Sequence, residues 1–470
     1  MAHNFTRRHF FFGSLLAGAV PAAGFGSSPN LKMLGFKSPN EKLNIASIGA
    51  GGKAFSDISH CATENIVALC DPDAVSAKRM FERYPKAPKY TDFRRMFDKE
   101  TRNIDAVIVA TPDFMHATCS MWAMERGKHV YCQKPLTRTI WEARQLTAAA
   151  AKYKVATQMG NQGYSNEGTR QCAEMIWSGE IGNVSEVHAW TNRPIWPQGL
   201  AAEPAAQTVP ETMDWEAWTG ISTAGRPYSK EIAPFNWRGF FDYGCGALGD
   251  MACHILGAPN DALMLGAPTS VECIMQEGKS TFQFPKKSII RFDFPARGSM
   301  PPVKIFWYDG MAEPPKAPEG ISQDEILGDL PRAPREGQQA PPRKGRLSNN
   351  GSLFVGDKGF ITTGTYGEGT RLVPSERMKD YKFPTPVLKR APANGEVGHH
   401  SDWIHAAKTG EATTSNFAVA GPFTEWILLG TLALRHEGKI EWDSAKMRVT
   451  NAPELNKLIK PTFRKGWSLV

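Results

Sequence analysis

The chain has 470 residues, 41% hydrophobic and 22% charged, the composition of a globular enzyme and not of a disordered polymer. That length exceeds what one hydrophobic core usually holds, so two domains behind a leader are expected. The formal charge of +8 is too small on so long a chain to argue for a nucleic-acid partner.

Residues 1–28 read as a twin-arginine signal peptide, and they stand outside the fold. Thr6-Arg7-Arg8-His9-Phe10-Phe11 opens the segment, an apolar stretch runs from 10 to 20, and Ala22, Ala23 and Gly24 offer small residues for cleavage. The stretch is shorter than the roughly 20 apolar residues that a bilayer demands, and no cysteine lies near the cut, so no membrane anchor is expected. The twin-arginine export machinery is the expected partner, and the periplasm or the exterior the destination; a chance Arg-Arg before an apolar start is the bland alternative. Residues 29–40 read as a linker. The eight cysteines show no Cys-x-x-Cys pair and no metal-ligand spacing. They read as small buried core residues, which suits a protein exported already folded from a reducing cytoplasm.

From 41 to 162 short apolar runs alternate with helical stretches, the pattern of a doubly wound parallel sheet in an α/β Rossmann domain. The expected strands are 43–48, 66–70, 104–110, 129–132 and 155–159, with helices at 114–125 and 140–153 between them. Asp105-Ala-Val-Ile-Val-Ala110 is almost continuously apolar, as a strand buried on both faces should be. From 163 to 470 the character changes to an α+β domain with a large, open, mostly antiparallel sheet that binds substrate and pairs copies of the chain. A helix at 169–177 leads into alternating runs at 184–190, 270–276, 287–294, 303–308 and 359–363. The segment 311–350, rich in proline, glycine and charge, reads as a long surface loop. A helical stretch from 400 to 435 ends the domain, with His399-His400 and Asp402 at its start.

Gly49-Ala-Gly51-Gly52-Lys53-Ala54 fits G-x-G-x-x-A, the turn that lets a backbone approach a pyrophosphate and aims a helix N-terminus at it. Asp71 ends the next expected strand, where a carboxylate can accept hydrogen bonds from a ribose diol and repel a 2′-phosphate. NAD is therefore the expected cofactor, with NADP the alternative because Lys78 and Arg79 are near. Thr111-Pro112-Asp113-Phe-Met-His116 follows the fourth strand, at the carboxyl edge where such sheets bind ligands; His116 reads equally as a first-turn helix residue. Lys134 precedes Pro135, which holds it extended, and its ammonium can stabilise a developing alkoxide. Asp250 and His254 stand one helical turn apart, and imidazole suits the removal of a hydroxyl proton; a capping aspartate and a buried core histidine are the structural alternative. Gln133 and Gln162 are further expected cofactor-binding residues, and Asn161 is an expected substrate-binding residue. Trp237 and Arg238, with Arg193, offer the stacking ring and guanidinium that a sugar face needs.

Across essentially all of the chain after the leader, the sequence resembles the glucose-fructose oxidoreductase, inositol dehydrogenase and MocA (Gfo/Idh/MocA) family. The carrying residues are the Gly49–Ala54 turn, Ala110-Thr111-Pro112 with His116, Gln133-Lys134-Pro135, Asp250-x-x-x-His254 and Val355-Gly-Asp-Lys-Gly-Phe360. The resemblance implies nicotinamide binding at the first domain and Lys134, Asp250 and His254 at the substrate carbon. It departs at Gln133, where the usual glutamate loses its charge.

The expected function is an exported NAD(P)-dependent oxidoreductase acting on a secondary hydroxyl of a sugar, glycoside or cyclitol, with tightly bound cofactor. Two rivals stand beside it: a redox-neutral, NAD-dependent glycoside hydrolase or lyase passing through a transient keto-sugar, and a non-catalytic sugar-binding protein. A homo-oligomer is expected; a nucleic-acid or metal partner is not.

Overall fold

The computed structural model describes residues 41–310, 316–322, 325–326 and 349–469. The leader, the linker and most of the expected 311–350 loop lie outside the described residues.

The first sheet has six parallel strands, β1 (Asn44–Ile48), β2 (Asn65–Cys70), β3 (Lys89–Tyr90), β4 (Ala106–Val109), β5 (His129–Cys132) and β6 (Thr157–Met159), in the order β3-β2-β1-β4-β5-β6. Every residue of β4 and β5 is buried, because helices cover both faces and leave no side of these central strands for water. The order reverses between β1 and β4, so the crevice for a ligand opens above the carboxyl ends of those two strands. Two-residue β3 carried no apolar run to announce it. The helix Ile140–Tyr153 starts on a capping box in which Thr139 N–H and its hydroxyl both donate to Glu142 Oε2, at 2.9 and 2.8 Å.

The second sheet has nine strands: β7 (Val184–Thr191), β8 (Ser270–Glu277), β9 (Lys287–Phe294), β10 (Val303–Asp309), β11 (Asn350–Gly356), β12 (Gly359–Thr363), β13 (Arg371–Val373), β14 (Lys439–Asp443) and β15 (Arg448–Val449). Their order is β13-β12-β11-β7-β10-β9-β8-β14-β15, antiparallel throughout except that β10 runs parallel to β7. Strict alternation along β9 buries Ser288, Ile290, Phe292 and Phe294 on one face. The helix Phe417–Ala433 lies on that face, with Trp426 edge-on to Phe292 and Phe294 at 5.2 and 5.3 Å. Gly430 permits the approach, since a Cβ there would stand 2.6 Å from Leu248 Cδ2.

Two sequence expectations change. The 400–435 stretch is two helices, Gly395–Thr409 and Phe417–Ala433, because Gly410 takes the left-handed C-cap conformation that ends the first (φ 79°). Asp402 is accordingly mid-helix and buried, not at the helix start, and accepts from Thr414 N–H at 2.7 Å. The Val355–Phe360 turn joins β11 to β12, and β11 itself was missed because it emerges directly from the proline-rich segment.

The two sheets do not belong to independent bodies. Trp403, Ile404 and Ala407, from near the end of the chain, pack into one core with Leu43, Ile45, Ile108 and Tyr131 of the first domain. No helix among the described residues is long and apolar enough to cross a membrane.

Candidate active site

Gly49 closes β1 with φ 92°, and its N–H donates to Cys70 O at 2.8 Å, tying the turn to the end of β2. A Cβ on Gly49 would meet Ala110 O at 2.4 Å, and one on Gly51 would meet Ser76 Oγ at 2.1 Å; these two positions have room for hydrogen only. Gly52 also has positive φ (54°), yet nothing lies within 4 Å of where its Cβ would be, so it faces open space before the helix Ala54–His60. Asp71 stands beside this turn: its Oδ2 accepts from Ala50 and Gly51 N–H at 2.8 and 3.1 Å, and its Oδ1 from Asp73 N–H at 2.9 Å. Burial pushes its carboxyl above the ordinary value against those three donors. Arg79 stacks on Phe55 at 3.7 Å.

The turn opens onto a cavity of about 600 Å³ lined by both domains. Gly49, Gly51, Gly52, Lys53, Asp71, Thr111, Pro112, His116, Gln133, Lys134 and Gln162 line it on the Rossmann side; Arg193, Trp237, Arg238, Asp250 and His254 line it from the second domain. Ala54 and Asn161 lie behind the wall. Ala54 is fully buried at the helix start, and Asn161 accepts from Ser415 Oγ at 2.7 Å and donates to Cys253 O at 3.4 Å. His116 links two loops, its ring nitrogens 2.7 Å from Pro135 O and 2.9 Å from Thr111 O. Burial lowers its pKa to about 4 against the two carbonyls, each of which favours an N–H on the ring.

At the floor of the cavity Lys134 Nζ donates to Asp250 Oδ1 at 2.5 Å and to Asp250 O at 2.9 Å. Burial works against the Asp250 charge, but Lys134 and Arg238, whose Nε is 3.8 Å away, hold its carboxyl below the usual range. His254 is 6% exposed, its Nδ1 sealed with no hydrogen-bond partner, and Tyr366 lies edge-on to it at 4.9 Å. Burial first, and then the Lys134 ammonium, hold the imidazole neutral far below the ordinary histidine range. Arg238 is clasped between aromatic rings, 4.3 Å from Trp237 and 4.6 Å from Phe235, and donates to Phe235 O at 3.0 Å. Arg193 donates to Asn192 Oδ1 at 3.3 Å.

Sequence reasoning passed over several lining groups. Asp113, one residue beyond Thr111-Pro112, accepts from Cys245 N–H at 3.1 Å, and burial carries its carboxyl up to about 7. Tyr366, Glu396 and Trp467 reach the cavity from distant parts of the chain. Nothing in their local sequence marks them, although the first-turn motif did place Asp113 beside the strand end.

A glycine turn at a switch point, a second-domain wall of aromatic and basic groups, and a lysine-carboxylate-imidazole floor thus share one cavity, an arrangement suited to a two-domain, nucleotide-dependent oxidoreductase. Residues 43–161 match the family described as "Oxidoreductase family, NAD-binding Rossmann fold", and 176–272 that described as "Oxidoreductase family, C-terminal alpha/beta domain"; both are Gfo/Idh/MocA family models. The chain is similar to an alpha-N-acetylgalactosaminidase of Shewanella oneidensis, 30% identical over 191 residues, which are 35% of this chain and 41% of that protein. An inositol 2-dehydrogenase of Salmonella paratyphi B is 30% identical over 125 residues, 26% of this chain and 37% of that one. The match thus spans less than half the length of either relative. The fold is shared with the WlbA dehydrogenase of Bordetella pertussis, solved with NADH and UDP-GlcNAcA, at a TM-score of 0.56 and 14% identity over 86% of this chain and 99% of that one.

Proposed function

We propose that the protein is an NAD-dependent oxidoreductase acting on a secondary hydroxyl of a sugar, glycoside or cyclitol. The observation that carries this reading is the convergence of Lys134, Asp250 and His254 on the cavity that also receives the glycine turn. The residues fit a dinucleotide: Gly52 leaves open space before a helix N-terminus, and Asp71 stands where a ribose would lie. Gly49, Gly51, Gly52, Lys53, Asp71, Thr111, Pro112 and Gln133 would hold the cofactor. A bound nicotinamide supplies a two-electron acceptor or donor.

Lys134 hydrogen-bonds the reacting oxygen and offsets negative charge as it develops. Asp250 holds that ammonium in place through two contacts. His254, neutral and walled from bulk water, accepts the hydroxyl proton at a ring nitrogen. Arg238 and Arg193 hydrogen-bond neighbouring hydroxyls while Trp237 covers an apolar sugar face. The aspartates at 71 and 73 and the stacking of Arg79 favour NAD over NADP. Retention of the cofactor suits the twin-arginine leader, since a folded protein can carry its nucleotide into a compartment where free NAD is scarce. A homo-oligomer paired through the open sheet goes with this reading.

The kinship with an alpha-N-acetylgalactosaminidase supports a second reading, a redox-neutral cycle in which a glycoside is oxidised, cleaved and reduced again. Mass spectrometry of the denatured, freshly purified protein should release NAD. Turnover of a sugar panel then separates the readings: NADH accumulation marks a dehydrogenase, and aglycone release without NADH marks the neutral cycle. Lys134→Met should cost roughly 10²–10⁴ in kcat/KM in either case. Sugar binding without turnover, unchanged in that variant, would leave a non-catalytic sugar-binding protein instead.

A further inference from the structure

Gln133 ends the strand next to Lys134 and lines the cavity, and its orientation is dictated from below. Its Nε2 donates to Asp57 Oδ2 at 2.8 Å. Asp57 is fully buried and ionised: burial opposes its charge, but His400 and Lys53 hold its carboxyl below the ordinary value. Lys53 Nζ donates to the other oxygen, Oδ1, at 2.6 Å, and His400 Nε2 is 3.3 Å from it. A carboxylate can only accept, so the amide must turn its NH₂ inward. Gly160 makes room for this, because a Cβ there would fall 2.6 Å from Gln133 Nε2. No described residue donates to Gln133 Oε1, and that oxygen is not among the sealed polar atoms.

We infer that Asp57 is a positioning residue for the cofactor: it fixes the Gln133 amide so that Oε1 faces the cavity as an acceptor for the nicotinamide-riboside end. This rests on the proposed NAD-binding function. It explains how a glutamine serves at a position where the resembling family carries a glutamate. In this chain the negative charge sits one layer inward, at residue 57, and the group that faces the cavity at residue 133 is an acceptor. Gln133→Glu alone would set two carboxylates about 2.8 Å apart in a buried site, where one must take up a proton and the hydrogen-bond pattern is lost. Combining it with Asp57→Asn reverses the pair: the amide introduced at position 57 donates, and the second oxygen of the carboxylate introduced at position 133 faces the cavity.

The test is NAD binding, read as quenching of tryptophan fluorescence on protein dialysed free of nucleotide, for the wild type, Gln133→Glu, Asp57→Asn and the double variant. Each single substitution should weaken binding by about tenfold or more, and the double should return to within about threefold of wild type. Circular dichroism and Tm, expected alike for wild type and double variant, accompany each titration. An Asp57→Asn protein that binds like wild type overturns the inference, as does a Gln133→Glu protein that binds as tightly, or a double no better than the weaker single. If Asp57→Asn does not fold, Gln133→Glu alone decides by the same criterion. A wild-type chain that takes no NAD sinks the functional reading as well, whereas tight wild-type binding with additive losses sinks this inference alone.

Discussion

His254 and Asp309 are both buried titratable groups, and their consequences run in different directions. Because burial and the Lys134 charge depress the His254 pKa well below 6.5, the neutral ring survives acid that would protonate an ordinary histidine. The acid limb of a kcat/KM profile should therefore fall below pH 6.5, and His254→Asn should remove that limb along with most of the turnover. A limb at the ordinary histidine value would contradict the assignment. Asp309 sits under the second sheet, 3% exposed, its carboxylate accepting from Ser288 Oγ at 2.8 Å and Trp307 Nε1 at 3.0 Å. Burial outweighs both bonds and raises its pKa from 3.8 to about 7. The folded state thus favours the protonated acid, so this group's contribution is complete below pH 3.8 and is lost as pH rises through about 7. Asp309→Asn, which cannot titrate and can donate to Ser288 Oγ, should raise stability at about pH 8 by on the order of 1–4 kcal/mol and flatten Tm between about pH 5 and 8. An unchanged Tm slope in a pH series would refute it. The Asp309 neighbourhood is not visible in the sequence: Asp309 ends an alternating strand, and only the fold shows that its oxygens point inward.

Among the elements, legibility followed burial pattern. β4 and β5 were readable because both faces are covered, and β9 because one is. The short β13 and β15, of three and two residues, carry no period to detect. The segments that wall the nucleotide side of the cavity were equally silent, since their role depends on where they dock. Asp214 N–H donates to Pro72 O at 2.8 Å and Ala74 N–H to Thr212 O at 3.0 Å, which straps the region around Met213 against the loop after Asp71. The chain end arrives from the other side, pinned by Arg464 N–H on Ile221 O at 3.0 Å, with Trp467 beneath the Arg94 guanidinium at 4.0 Å. Trp218 and Trp467 both line the cavity near Asp71 and Phe93. The proposed nucleotide would lie in the cavity that these two rings line. Trp467→Ala should speed release of bound NAD by roughly tenfold while barely moving KM for the sugar, as chase experiments with excess nucleotide would show. Equal release rates would mean that the tail packs on the cavity without gating it.

Reading the whole chain as a Rossmann domain followed by a substrate domain captures the order of elements but not what holds them. The helix Gly395–Thr409 belongs by sequence to the second part, yet it supplies the wall of the first domain's core, where Trp403 is fully buried and its ring lies 5.6 Å from Tyr131. Farther along, Arg144 clamps Glu425 through two bonds of 2.7 Å, and Lys408 reaches Glu64 at 2.8 Å, so charged pairs with little solvent access also join the parts. Strand periodicity cannot report such docking, because an amphipathic helix shows that it packs without showing on what. The physical consequence is that residues 41–162 alone would expose the Tyr131 side of their sheet to water. That fragment should bind a hydrophobic dye, melt without a cooperative transition and take up no NAD. In the intact chain, Trp403→Ala should cost about 3–5 kcal/mol, and because the core is shared, near-ultraviolet ellipticity and NAD binding should be lost at one midpoint. Separate midpoints, or a fragment that melts cooperatively and binds nucleotide, would show instead that the Rossmann unit stands without its C-terminal cover.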